Sequence, residues 1–133
     1  EIIDDIPNSD FPVYIGGPVS KNSIHFIHSL GRFIPNSIKI YNGLYFGGDF
    51  EVVKDLLWKG KINKENMRFF AGYSGWEANQ LEDELKENSW ILREKNLKLS
   101  MKYSNKDYWS EIIRKMDKKY AIWANFPQNP SLN

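Results

Sequence analysis

The sequence predicts an α+β fold: a single compact domain with a mostly antiparallel or mixed sheet and about three helices. Three observations carry this. Short β-type runs with period-two alternation fill much of the first 46 residues, three longer stretches show helical apolar spacing, and the two kinds of segment do not alternate strictly. A doubly wound parallel sheet would need that strict alternation.

Pro12-Val13-Tyr14-Ile15 reads as a short strand stopped by Gly16-Gly17-Pro18, a combination that forces a tight backbone turn. Ser23 to Ser29 reads as a second strand. Its alternation sets Ile24, Phe26 and His28 on one apolar face, and His25 and Ile27 on the other, with His25 expected in solvent. Ile38-Lys39-Ile40-Tyr41 and Leu44-Tyr45-Phe46 flank Asn42-Gly43, the pair favoured in a type I′ hairpin turn.

The first helix is expected after Gly47-Gly48, with Asp49 as its N-cap and Gly60 just past its end. Phe50, Val53, Leu56 and Leu57 form its apolar stripe, opposite Glu51, Asp55 and Lys59. Met67 to Tyr73 follows as a strand apolar on both faces apart from Arg68. Ser74-Gly75-Trp76-Glu77 has the S-x-x-E form of a capping box. It predicts a second helix capped by Ser74, with Ala78, Leu81 and Leu85 buried and Asn88 as its left-handed stop. Ser89 to Glu94 and Leu97 to Tyr103 read as strands, Lys106 to Lys119 as the third helix, and Tyr120 to Trp123 as a last strand.

The 133 residues suit one domain. Aromatics at 15% exclude an intrinsically disordered chain. The absence of cysteine excludes disulfides, thiolate nucleophiles and cysteine-bound metals, and two histidines are too few for a histidine-rich metal site. No apolar run approaches the length of a membrane helix.

The net charge of +1 gives no global field for nucleic acid. The distribution is uneven, though. Residues 1–92 hold nine basic and thirteen acidic side chains, and residues 93–133 hold nine basic and four acidic. Solvated helix faces account for this most simply. A polyanion contact through Lys98, Lys102, Arg114, Lys115 and Lys118 is the alternative, and it lacks the preceding helix that a helix-turn-helix requires.

Several groups of residues could carry chemistry. Gly72-Tyr73-Ser74-Gly75-Trp76 places a serine at a strand–helix junction. A nucleophile elbow needs G-x-S-x-G, and Trp76 stands where the second glycine belongs. A hydrolase would pair Ser74 with His28; the plainer reading gives Ser74 a capping role and His28 a place in the core. Gly16-Gly17-Pro18 and Gly47-Gly48-Asp49 match no phosphate-binding motif and read as turns, so no cofactor is implied. Trp76, Gln80 and Glu84 share one side of the second helix. They could line a small pocket or partner groove, unless Trp76 packs on Phe69 or Phe70.

Together the blocks Val13-Tyr14-Ile15-Gly16-Gly17-Pro18-Val19, Phe26-Ile27-His28-Ser29, Asn42 to Phe50, Phe69 to Glu82 and Asn88-Ser89-Trp90 closely resemble the AlgH/YqgE-like family of bacterial proteins. The likeness is strongest to its Bacteroidetes-type branch and extends over residues 11–133. The resemblance implies a coiled, bulged antiparallel sheet and a cytoplasmic protein of no known reaction. The family is labelled as transcriptional regulators, without a recognisable DNA-binding motif. Its members usually carry a further segment before G-G-P, which implies that this chain is a C-terminal fragment of a domain of about 180–200 residues.

The sequence thus points to a non-enzymatic binding or regulatory module. Its expected ligand or partner surface gathers Gly16, Gly17, His28, Tyr73, Trp76, Glu77 and Gln80, with Asp49 and Ser74 as structural caps and no metal. The expected partner is a protein or small ligand, with homo-oligomers compatible and neither membrane nor direct DNA binding indicated.

Overall fold

In the computed structural model, residues 11–102 and 108–125 are described. They fall in two units, residues 1–102 and 103–133. The first unit holds five strands, β1 (Val13–Ile15), β2 (Val19–His28), β3 (Ile38–Tyr41), β4 (Leu44–Phe46) and β5 (Met67–Tyr73), with helices α1 (Phe50–Trp58), α2 (Gln80–Lys86) and α3 (Leu97–Ser100). The strands form one mixed sheet in the order β1-β5-β2-β4-β3. Only β1 and β5 run parallel; the other pairs are antiparallel. The α+β class is as the sequence predicts.

β1 and β2 are consecutive in the chain, yet β5 lies between them. The link Gly16-Gly17-Pro18 must therefore cross the C-terminal end of β5. The crossing is backbone on backbone. A Cβ on Gly16 would lie 2.3 Å from the Gly72 carbonyl oxygen, and one on Gly17 would lie 2.2 Å from that of Tyr73. Gly72 itself has φ +70° and faces the Gly17 carbonyl, 2.6 Å from where its own Cβ would be. No side chain fits between the strands here, and an L-residue at Gly72 would also be strained. The register of β2 against β5 shifts between Val19 and Ile24, and this bulge lets β2 turn back along β5 after the crossing.

The predicted alternation of β2 holds. Phe26 and His28 are buried beside Phe69 and Met67, their partners on β5. Ile34, Val53 and Ile62 complete this core, and Phe50, Leu56 and Leu57 of α1 pack against it. Each such side chain contributes about 1.5–3 kcal/mol when fully buried. α1 begins as expected: the Asp49 carboxylate accepts from the backbone N–H of Glu51 at 3.0 Å. It ends in a Schellman motif, with Gly60 N–H on Leu57 O and Lys61 N–H on Leu56 O.

Several expectations are corrected. In the Asn42-Gly43 turn only Gly43 has positive φ, so the turn is not type I′; a register shift between Lys39 and Tyr41 takes up the strand twist instead. The capping box does not form. Residues 74–79 are not helical, and α2 starts only at Gln80, with Asn79 in the left-handed conformation and making no side-chain cap. The Glu77 N–H goes to Gln80 Oε1 at 3.0 Å instead of to Ser74. Ala78 is consequently exposed, while Leu81 and Leu85 are half-buried. The predicted end of α2 is correct: Asn88 has φ +57°, with its N–H on Leu85 O and the Ser89 N–H on Glu84 O.

Residues 89–96 form no strand, and Leu97–Ser100 is a single helical turn. The Asn96 side chain accepts from Leu99 N–H at 3.0 Å and starts that turn. It puts Leu97 and Met101 on one side at helical spacing, and Met101 is buried. Arg68 Nη1 donates to Ser100 O at 2.6 Å, and Tyr41 Oη meets Ser100 Oγ at 2.8 Å, which ties α3 to the sheet.

In the second unit the described helices are α4 (Tyr108–Arg114) and α5 (Lys118–Ala121), then a 3₁₀ turn Ile122–Asn125. The single long third helix is interrupted at Asp117, which leaves helical geometry and recaps the chain on Lys119 N–H. The expected last strand is helical instead. Residues 1–10 and 126–133 lie outside the described residues, as does the first part of the expected third helix. No helix among the described residues is long and apolar enough to cross a membrane.

Candidate functional site

The expected surface separates into three places. The first is the crossing. Gly16 and Gly17 do permit close backbone approach, but what approaches is the chain's own Gly72-Tyr73-Ser74. Beyond it Tyr73 emerges half-exposed, with its ring edge-to-face on His25 at 5.4 Å. His25 also stacks on Phe46 and meets Ser23 Oγ at 3.0 Å, so it is half-buried, contrary to the solvent position expected.

The second place is His28, fully buried at the other end of β2. Its Nε2 lies 2.9 Å from the Gly47 carbonyl and 3.1 Å from Ser37 Oγ. Its Nδ1 accepts the Leu30 N–H at 3.1 Å. Ser37 donates its own proton to Ile34 O at 2.7 Å, so Nε2 must be the donor and the ring is neutral. Burial pushes its pKa below the ordinary imidazole value, partly opposed by the Gly47 carbonyl, which favours the charged form. The ring of Tyr45 stacks on it at 5.8 Å. His28 pairs with Met67, while Ser74 follows Tyr73 at the far end of β5. At about 3.3 Å per residue the two are roughly 20 Å apart along the strand. His28 and Ser74 are not brought together, and His28 does not belong to the same surface as Trp76.

The third place gathers the remaining residues. Trp76 leaves the non-helical loop before α2 and meets Trp90, just past the end of α2, edge-to-face at 5.6 Å. Between them stands Glu84. Its Oε2 accepts from Trp90 Nε1 at 2.7 Å and from Trp76 Nε1 at 3.1 Å, and its Oε1 accepts from Gln80 Nε2 at 2.8 Å. Gln80 in turn accepts the Glu77 N–H. The indole of Trp90, then that of Trp76 and the amide of Gln80, hold the Glu84 carboxyl below the usual carboxylate range. Trp76 and Trp90 are 40% and 46% exposed. The result is a fixed pair of half-open indoles around an ionised carboxylate.

Trp76 and Gln80 were expected at this surface. Glu84 was seen only as their neighbour at helical spacing, and Trp90 was missed as a site residue. The sequence held a signal for both: Glu84 lies at i+4 from Gln80, and Asn88 ends the helix so that Trp90 folds back within reach. The basic residues of the polyanion alternative divide, with Lys98 and Lys102 in the first unit and Arg114, Lys115 and Lys118 in the second. Among the described residues no three His, Asp or Glu side chains are grouped as a metal site would require.

Comparison with known proteins matches residues 1–121 to the family model DUF179, AlgH-like. A UPF0301 protein of Bacteroides fragilis is 42% identical over 124 residues, covering 93% of this chain and 63% of that protein. A UPF0301 protein of Bacteroides thetaiotaomicron is 40% identical over the same length, with the same coverage. The chain thus spans 63% of the length of these relatives. The solution structure of AlgH from Pseudomonas aeruginosa superposes with a TM-score of 0.65 at 20% identity, covering 96% of this chain and 70% of that one. A crystal structure of a Corynebacterium diphtheriae protein gives 0.62 at 24% identity, covering 86% and 60%. These two likenesses show the fold. With the family model over most of its length and relatives at this identity, the chain belongs to the AlgH-like family.

Proposed function

We propose that this chain is a non-enzymatic binding module of a regulatory protein, and that its recognition surface is formed by Trp76, Trp90, Gln80 and Glu84. One observation carries the reading: Glu84 holds two half-exposed indoles in a fixed arrangement. Apolar rings of this size ordinarily turn inward, and their exposure beside satisfied polar groups is what a partner surface offers. Rings fixed before binding lose little entropy when a partner docks. The surface takes a protein or a small ligand, within an intracellular bacterial regulator that is not itself a DNA reader. The experiment is affinity capture from bacterial cells with the wild-type chain, Trp76→Ala and Gln80→Ala. A partner retained by the wild type and lost with both variants, at unchanged circular dichroism, supports the surface. Retention of every partner by both variants contradicts it.

A further inference from the structure

Resting on that reading, we propose that the Trp76–Trp90 surface recognises an arginine-bearing segment of a partner protein. A carboxylate has about four lone-pair sites. Three of those on Glu84 are taken, two on Oε2 by the indoles and one on Oε1 by Gln80. One site on Oε1 stays open. Both indoles turn their N–H inward, so the outward parts of the rings are carbon and π-face. A ring face is the negative side of an aromatic quadrupole, and indole is the strongest cation acceptor among the side chains.

The surroundings have the same sign. Residues 76–90 carry five carboxylates, at Glu77, Glu82, Asp83, Glu84 and Glu87, against one ammonium, at Lys86. Lys86 is itself paired with Asp83 at 2.8 Å. An anionic partner is repelled here, and a cationic one is drawn in from a distance. Between the two basic side chains the geometry favours arginine. A guanidinium is planar and weakly hydrated, so it lies flat on an indole while one N–H reaches the open site on Oε1. An ammonium keeps its water more tightly. The patch is open, and an isolated cation on an exposed ring is held weakly. The cation must therefore come tethered in a longer segment, one of whose other basic groups meets Glu87, three residues along from Glu84 on the same side of the chain.

The test is a nitrogen-15 titration of the chain with a blocked peptide holding two arginines between glycines, followed at the indole N–H signals of Trp76, Trp90 and Trp58. The proposal expects Trp76 and Trp90 to move and Trp58 to stay. Replacing the arginines by neutral, isosteric citrulline weakens binding about tenfold or more, and Glu84→Gln weakens the arginine peptide by about fivefold. The citrulline arm uses the unaltered protein, so it holds even if Glu84→Gln disturbs the fold. Equal binding of the citrulline peptide overturns the proposal. So does silence of both indoles, or movement with tetramethylammonium alone and not with the peptide. If the arginine peptide fails while Trp76→Ala still abolishes partner capture, the ligand class falls and the binding surface stands. If capture also survives Trp76→Ala, both fall.

Discussion

The backbone of Gly17 runs so close to Tyr73 that a Cβ added at Gly17 would lie 2.2 Å from the Tyr73 carbonyl oxygen. This contact exists because β5 is inserted between two strands that follow each other in the chain. The obstacle is backbone, which cannot rotate aside as a side chain does. Gly17→Ala is expected to destabilise the protein by about 2–3 kcal/mol. At Gly60 a Cβ meets open space, and only the positive φ of 62° opposes alanine. Gly60→Ala is expected to cost about 1 kcal/mol. Urea denaturation of the two variants checks both values and their order.

His28 is buried neutral, with Nδ1 committed to the Leu30 N–H. A proton on Nδ1 would set two donors against each other. Its native pKa lies below the ordinary 6.5, so the unfolded chain binds the proton first as pH falls. Stability is expected to be level above about pH 6.5 and to fall below it, through the lowered native value. His28→Phe keeps a ring but leaves the Leu30 N–H without its acceptor, and the Gly47 carbonyl with only the longer bond from Ser37 Oγ at 3.2 Å. It is expected to cost about 2–4 kcal/mol and to remove this pH dependence. Denaturation between pH 5 and 8 measures both effects.

The Glu84 carboxyl is held below its ordinary value of 4.5, first by Trp90 and then by Trp76 and Gln80. A depressed native pKa means that the clasp persists above the ordinary value and opens only as pH falls through the lowered one. The Trp76 indole N–H signal is expected to titrate with a midpoint below 4.5, and Trp90→Phe to move that midpoint up. A midpoint at or above 4.5 in the unaltered chain contradicts the clasp.

The two predicted caps now differ. Asp49 accepts the Glu51 N–H, so Asp49→Ala is expected to lower stability by about 1 kcal/mol. Ser74 lies in a non-helical stretch six residues before α2, and Ser74→Ala is expected to change stability by less than about 0.5 kcal/mol. Thermal denaturation of the pair distinguishes them.

Where local chemistry decides the outcome, the sequence was readable. Met67–Tyr73, the Asp49 cap, the Gly60 and Asn88 stops and the apolar face of β2 follow from residue type and period. Where a neighbour distant in sequence decides it, the reading failed. Leu97, Leu99 and Met101 alternate like a strand, but over five residues a helical turn serves equally, and Arg68 holds its end. S-x-x-E at 74–77 failed for a local reason instead: Gln80, only three residues on, competed with Ser74 and took the Glu77 N–H. The site followed the same division. Gln80 and Glu84 share a helical spacing and were legible together; Trp76 was expected on that same helix but reaches Glu84 from the non-helical stretch before it. Trp90 enters only because the chain reverses at Asn88. The glycines of G-G-P and Gly72 were visible as turn residues, but the strand order that makes them necessary was not.

Protection of individual tryptophans tests the central claim most directly. The chain is oxidised with N-bromosuccinimide, free and in complex with a captured partner, and each indole is read by mass spectrometry. Trp58, 73% exposed, serves as the internal reference. The account predicts that Trp76 and Trp90 become protected in the complex while Trp58 stays reactive. Unchanged reactivity of Trp76 and Trp90, with Trp58 protected instead, would contradict it.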